Sequence, residues 1–238
     1  MTHNLAFRIS LGAAIVVLVL AIYSAVSPAM VACGRLQPGY APVIAQELAR
    51  SVADVQAIFG TGPSACRTAI AQRIDFITWA DCIAFIPAYG TFLLFFFLGL
   101  SSRDRRSAFI GFVLSAVACI ADYLENICLF AITAHPDGGG IALAVLPWAT
   151  GLKWLALGLG GAVAGTILIQ SGRVNYPAAA LCGLSFLGTV LAITNPHLFG
   201  PYISNAVTLS WVVFLVVDIR AVIAGFSAVP QLEPENGA

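Results

Sequence analysis

Charge is what this chain has least of. Only 9% of its 238 residues are Asp, Glu, Lys or Arg, against about 25% in a soluble domain. A water-facing globule could not cover itself with so few. Eleven basic residues balance eleven acidic ones, so no basic stripe exists to hold a nucleic acid backbone and no nucleic acid partner is expected. Histidine occurs three times, at His3, His135 and His197, all outside the apolar runs. That excludes a histidine-rich di-iron desaturase or hydroxylase site. There is no H-E-x-x-H, G-x-S-x-G or P-loop pattern. The six cysteines include no C-x-x-C pair, which argues against a thiol-redox enzyme or a zinc knuckle. No metal or cofactor is expected.

Apolar residues are what the chain has in excess, 60% of the total. They fall into runs at 9–32, 76–100, 108–134, 141–169, 177–193 and 206–226. Each is near the roughly 20 residues that cross a bilayer. The fourth is long enough to imply tilt; the fifth is short and carries Gly183 and Gly188. The expected fold is an all-α polytopic bundle of about six spans, one membrane domain over 1–238. Span one resembles a signal peptide where Met30-Val31-Ala32-Cys33 mimics a lipoprotein cleavage box. Its apolar run, about 24 residues, exceeds the roughly 7–15 of a signal h-region, and it reads as an uncleaved anchor.

Arg103, Arg105 and Arg106 cluster between spans two and three and mark that loop as cytoplasmic. Both termini then fall inside, as expected for a bacterial inner-membrane protein. The segment 34–75 falls outside although it carries Arg35, Arg50, Arg67 and Arg73. Trp79, Trp148 and Tyr202 take outer-interface positions and Tyr176 an inner one. Within 34–75, Ile44, Leu48, Val52, Val55 and Phe59 recur at helical spacing, with Glu47, Arg50 and Asp54 on another face. Arg50 and Asp54 are spaced to pair. This predicts an external amphipathic helix, either a cap on the bundle, a helix in the interface plane or a lid. Cys33 and Cys66 share the external side, where a disulfide is permitted. Cys82, Cys119, Cys128 and Cys182 lie within spans, as small apolar packers. Gly161 and Gly165 form a small-xxx-small face on span four.

Ionisable groups inside a bilayer are costly and need a reason. Asp75 and Asp81 lie at and just below the outer end of span two. Asp122 and Glu125 lie in span three, and Lys153 in span four beside Trp154. At 1.5 Å per residue, Asp81 is about 9 Å deep, Glu125 about 14 Å, and Asp122 and Lys153 about 18 Å. Asp122, Glu125 and Asn126 share a helix face, as do Asp81, Phe85 and Tyr89. Spans two to four are consecutive and antiparallel, hence neighbours. The pattern predicts a polar cluster with Asp122, Glu125 and Lys153 at its chemical centre and Asp81, Tyr89, Tyr123, Asn126 and Trp154 lining it. One reading is an internal charge network that holds the bundle together. The other is a pocket in which burial raises one carboxyl's pKa and lets it trade protons. Such a group serves as a general acid or as a transporter's proton site. Asp218 and Arg220 read as interfacial, with Arg220 snorkelling.

Asp81 to Tyr89, followed by Ala-Asp-Tyr-Leu-Glu-Asn at 121–126, resembles small polytopic bacterial membrane proteins of no known activity. That resemblance implies a fold type only. The paired acids are also similar, in general layout alone, to membrane-bound terpene cyclases. Three functions fit. The first is binding or modifying an apolar lipid-like molecule, with Asp122 or Glu125 as proton donor and Lys153 and Asn126 orienting. The second is small proton- or ion-coupled transport, although spans 4–6 show no counterpart of the paired acids. The third is a structural or assembly role in a larger membrane complex. Membrane lipids, an apolar small molecule and a membrane-complex subunit are the expected partners.

Overall fold

The structure, a computed structural model, describes residues 3–28, 30–138 and 140–227. Among these residues there is no strand. Six helical segments are long and apolar enough to cross a membrane. Helix α1 spans His3–Val26. The connection after it carries two short helices, α2 (Pro42–Glu47) and α3 (Val52–Phe59). The second span is α4 (Ala65–Ala80), a π-helical turn (Asp81–Phe85) and α5 (Ile86–Leu100) in one continuous rod. Then follow α6 (Arg105–Ala134), α7 (Gly140–Gln170) and α8 (Tyr176–Thr194). A single turn, α9 (Pro196–Phe199), leads into α10 (Ile203–Ser227).

The spans form a closed ring. Each packs on the next in the order α1, α5, α6, α7, α8, α10, and α10 returns to α1. The interior is filled by aromatic rings from α5 and α10. Phe96 stacks on Phe214 with centroids 4.2 Å apart, and Trp211 lies against Tyr89 and Phe92 at 5.7 and 6.0 Å. Such contacts add directional packing where water supplies no driving force between helices. Helix α1 is apolar on most of its surface, and its buried residues are the stripe Ala6, Phe7, Ser10, Ala14 and Val17. The rest faces outward, as lipid-facing surface does. The small face on α7 is used as the sequence suggests. A Cβ on Gly161 would come within 3.2 Å of the Ser210 Cβ, and one on Gly165 within 3.2 Å of the Cys182 Cβ, so α8 and α10 approach α7 closely.

Helix ends follow local chemistry. Asp104 caps α6 by accepting from the Arg106 and Ser107 amides. Ser51 and Asp54 form a reciprocal capping box on α3, which satisfies amides that would otherwise be orphaned. The π turn precedes Pro87, which has no N–H to close a regular turn. The Ile86 amide reaches back to the Asp81 carbonyl instead.

One end of the bundle is capped by the 30–64 segment. Cys33 and Cys66 are joined by a disulfide with Cα atoms 5.9 Å apart. Arg67 clamps the same region, donating in two-pronged fashion to Asp137 at 2.7 and 2.8 Å and to the Gly60 carbonyl at 2.6 Å. The Tyr40 hydroxyl donates to the Pro196 carbonyl at 3.2 Å. The expected single amphipathic helix is two helices, broken over 48–51. The break turns α2 inward, and Pro42, Ala45, Gln46 and Glu47 are all buried. Arg50 and Asp54 do not pair through their side chains. Asp54 accepts the Arg50 and Ser51 amides at 3.0 and 2.9 Å, while the Arg50 guanidinium donates to the Ile193 carbonyl. The sequence boundary of span two also moves, because the helix begins at Ala65 rather than at 76.

Candidate functional site

Lys153 stands on the buried face of α7, with Thr150, Trp154 and Leu157 around it. Its ammonium reaches three carboxylates. Glu125 Oε1 from α6 is in direct hydrogen-bond contact, Glu47 Oε2 from α2 is at 2.9 Å and Asp122 Oδ1 from α6 at 3.3 Å. All four side chains are at least nine-tenths buried. The Trp154 ring lies beneath the ammonium, 4.7 Å from Nζ, a cation–π contact. The Tyr89 hydroxyl donates to Asp122 Oδ2 at 2.8 Å. Among the described residues no group of three or more His, Cys, Asp or Glu side chains is placed to hold a metal ion. In this cluster the ammonium is itself the cation that the acids surround.

The cluster has two borders. Towards the membrane, Asn126 on α6 donates to Asp81 Oδ2 at 2.6 Å and to the Cys82 sulfur at 3.3 Å. Asp81 is half-buried and sits where the π turn opens the helix; π turns recur at functional sites. Ile83, Tyr123 and Ile127 are exposed beside it, which gives this border an apolar, outward-facing rim. Tyr123 was expected to line the cluster. It faces outward instead, its hydroxyl donating to the Cys82 carbonyl at 3.1 Å. Towards the capped end, Glu47 borders a small crevice lined also by Arg50, Pro147, Thr150 and Ile193. The crevice holds about 10 Å³, near the space of one water. Thr150 donates to the Glu47 carbonyl at 2.8 Å and fixes the end of α2 there.

The structure thus brings Asp122, Glu125 and Lys153 together, with Tyr89 and Trp154 in contact and Asp81 joined through Asn126. Sequence reasoning missed Glu47, which it groups with Arg50 and Asp54 on the charged face of the external helix and not with the cluster. It also missed Gln46, fully buried, whose amide donates to Thr133 Oγ1 at 3.0 Å and the Leu129 carbonyl at 3.2 Å. The signal was present: Gln46 and Glu47 interrupt an otherwise apolar stretch from Pro42 to Ala49. Burial raises the Glu47 carboxyl above its ordinary pKa despite the pull of Lys153. Asp218, read as interfacial, is fully buried, with its Oδ2 2.6 Å from the Ser10 hydroxyl. It lies on the face of α10 that packs against α1, which helical phase alone does not reveal.

No protein-family model, no curated protein and no solved structure matches the chain. Its function has to follow from the geometry. Three carboxylates around one ammonium carry excess negative charge if all are ionised. In a buried site that excess is costly, and protonation is the ordinary relief.

Proposed function

We propose that the protein works in a bacterial inner membrane, with both termini cytoplasmic. There it exchanges a proton between the Lys153 cluster and an apolar, lipid-like molecule carrying a polar head. The molecule docks laterally at the Asp81 border, its head on Asp81 and Asn126 and its apolar body along Ile83 and Ile127. Glu125 or Asp122 supplies the proton, and Lys153 holds the remaining carboxylates. The observation that carries this reading is the three-to-one ratio of carboxylates to ammonium in a buried site with a single half-buried acid at its membrane edge.

A second reading, proton-coupled transport, is favoured by the crevice at Glu47. It would let the same cluster meet water at the capped end. Native mass spectrometry of the gently released protein separates the readings. A retained apolar molecule, lost in Asp81→Asn and Glu125→Gln, supports the first. A bare mass, with a pH-driven flux in vesicles abolished by Glu125→Gln, replaces it with the second. A tightly held membrane partner, together with failure of Glu125→Gln to fold, would reduce the cluster to glue within a larger complex.

A further inference from the structure

A second buried acid lies outside the Lys153 cluster. Asp218 of α10 is fully buried where α10 meets α1 and α5. The Ser10 hydroxyl of α1 is 2.6 Å from Asp218 Oδ2 and 2.9 Å from the Phe92 carbonyl of α5. A serine hydroxyl has one hydrogen to donate. A backbone carbonyl can only accept, and so can an ionised carboxylate. With Asp218 ionised, one of the two short contacts would set lone pair against lone pair. Both are satisfied if Asp218 is protonated: its O–H donates to Ser10, and Ser10 donates to Phe92. The other oxygen, Oδ1, is buried and has no hydrogen-bond partner among the described residues. A neutral acid leaves only a carbonyl stranded there, a far smaller cost than half of a carboxylate charge.

The neighbouring elements offer little else that titrates. Arg8 on α1 and Arg220 on α10 are exposed. Tyr89 on α5 gives its hydroxyl to Asp122. Cys182 on α8 is packed against Gly165, and Lys153 is the charged residue of α7. Gly161 is level with Ser210 across α7 and α10. Lys153 lies about two turns to the capped side of that level, and Asp218 about two turns to the other side. Between them runs an unbroken series of ring contacts, Tyr89 to Trp211, Trp211 to Phe92 and Phe92 to Phe214.

We infer that Ser10 and Asp218 form a second proton-binding site, in which Asp218 stands as a neutral carboxylic acid, placed beyond the aromatic layer from the Lys153 cluster. The bundle then carries one protonatable site on each side of an apolar barrier. A proton passing from one to the other needs that barrier to part. This inference does not depend on what the Lys153 cluster binds.

Infrared difference spectroscopy of the full chain in detergent tests it. At neutral pH the wild-type spectrum is expected to contain a carboxylic-acid carbonyl band that is missing from Asp218→Asn. In Ser10→Ala the band should move to higher frequency, because the acid loses its acceptor. In Glu125→Gln the Asp218 band should persist, so failure of the Lys153 reading would leave this result standing. If folded Asp218→Asn lacks an ionised-carboxylate band instead, the inference is overturned. If Asp218→Asn does not fold, Ser10→Ala decides alone, and an unmoved band there overturns it.

Discussion

The Lys153 ammonium donates to Glu47 and Glu125 and stands 3.3 Å from Asp122 Oδ1 as an ion pair. Removing the ammonium by Lys153→Met leaves Glu47, Asp122 and Glu125 facing one another in a dry site. Breaking one side of a buried charge set costs about 3–5 kcal/mol, so this variant should lose most of its folded yield in detergent, measured by size exclusion. Glu125→Gln removes one carboxylate and keeps a hydrogen-bond partner. It should keep a melting temperature close to wild type and lose function. Loss of folded protein in Glu125→Gln would count against a functional role. Glu47 gives a pH signature. Burial holds its carboxyl above the ordinary range, so the folded chain binds this proton more tightly than the unfolded one. The stability it contributes is full below the ordinary carboxylate range and is lost as pH rises through the raised value. Hydrogen exchange in α2 should therefore quicken with rising pH in wild type and respond less in Glu47→Gln. Equal pH responses in the two would remove Glu47 from the titrating set.

At the scale of elements, the spans were readable because hydropathy alone decides them. All six lie where the apolar runs are, with ends moved by up to about three turns. The convergence of Asp122, Glu125 and Lys153 was readable too, since depth along antiparallel neighbours is simple arithmetic. What could not be read was the path of the cap. Ile44, Leu48, Val52, Val55 and Phe59 keep a helical rhythm through the break, because both short helices bury the same kind of side chain against the bundle. The rhythm hides the turn at 48–51 that drives Glu47 inward. Asp218 was missed for a related reason: a single carboxyl near a span end looks the same whether it faces lipid headgroups or a serine on another helix. The cap's position depends on the Cys33–Cys66 disulfide, which closes a loop across a sequence separation of 33. Such a cross-link contributes roughly 2–4 kcal/mol. Cys33→Ser with Cys66→Ser should lower the melting temperature and raise exchange in α2 and α3 first. Unchanged exchange there would mean that Arg67 and Asp137 hold the cap unaided.

Across the whole molecule, the two ends of the bundle differ in kind. One end gathers the disulfide, the Arg67–Asp137 clamp and the crevice at Glu47. The other carries the short loop with Arg103, Arg105 and Arg106, whose Arg103 guanidinium reaches Ser171 at 3.5 Å. A disulfide needs an oxidising compartment, and short arginine-rich loops stay in the cytoplasm. These are independent grounds for the orientation proposed above, with the cap outside. The four arginines of the cap region do not oppose this. Arg67 is spent on Asp137 and Arg50 on a backbone carbonyl, and the positive-inside bias counts chiefly short loops. In the proposed orientation the Glu47 crevice is the outward water contact, and Ser10 and Asp218 lie in the cytoplasmic half. Single cysteines placed at Ser102 and at His197, in a background lacking the free cysteines, decide the point. In intact cells a membrane-impermeant maleimide should label His197→Cys and leave Ser102→Cys unmodified until the membrane is opened. The reverse pattern would invert the bundle and turn the Glu47 crevice towards the cytoplasm, where the disulfide would have no oxidising compartment to keep it.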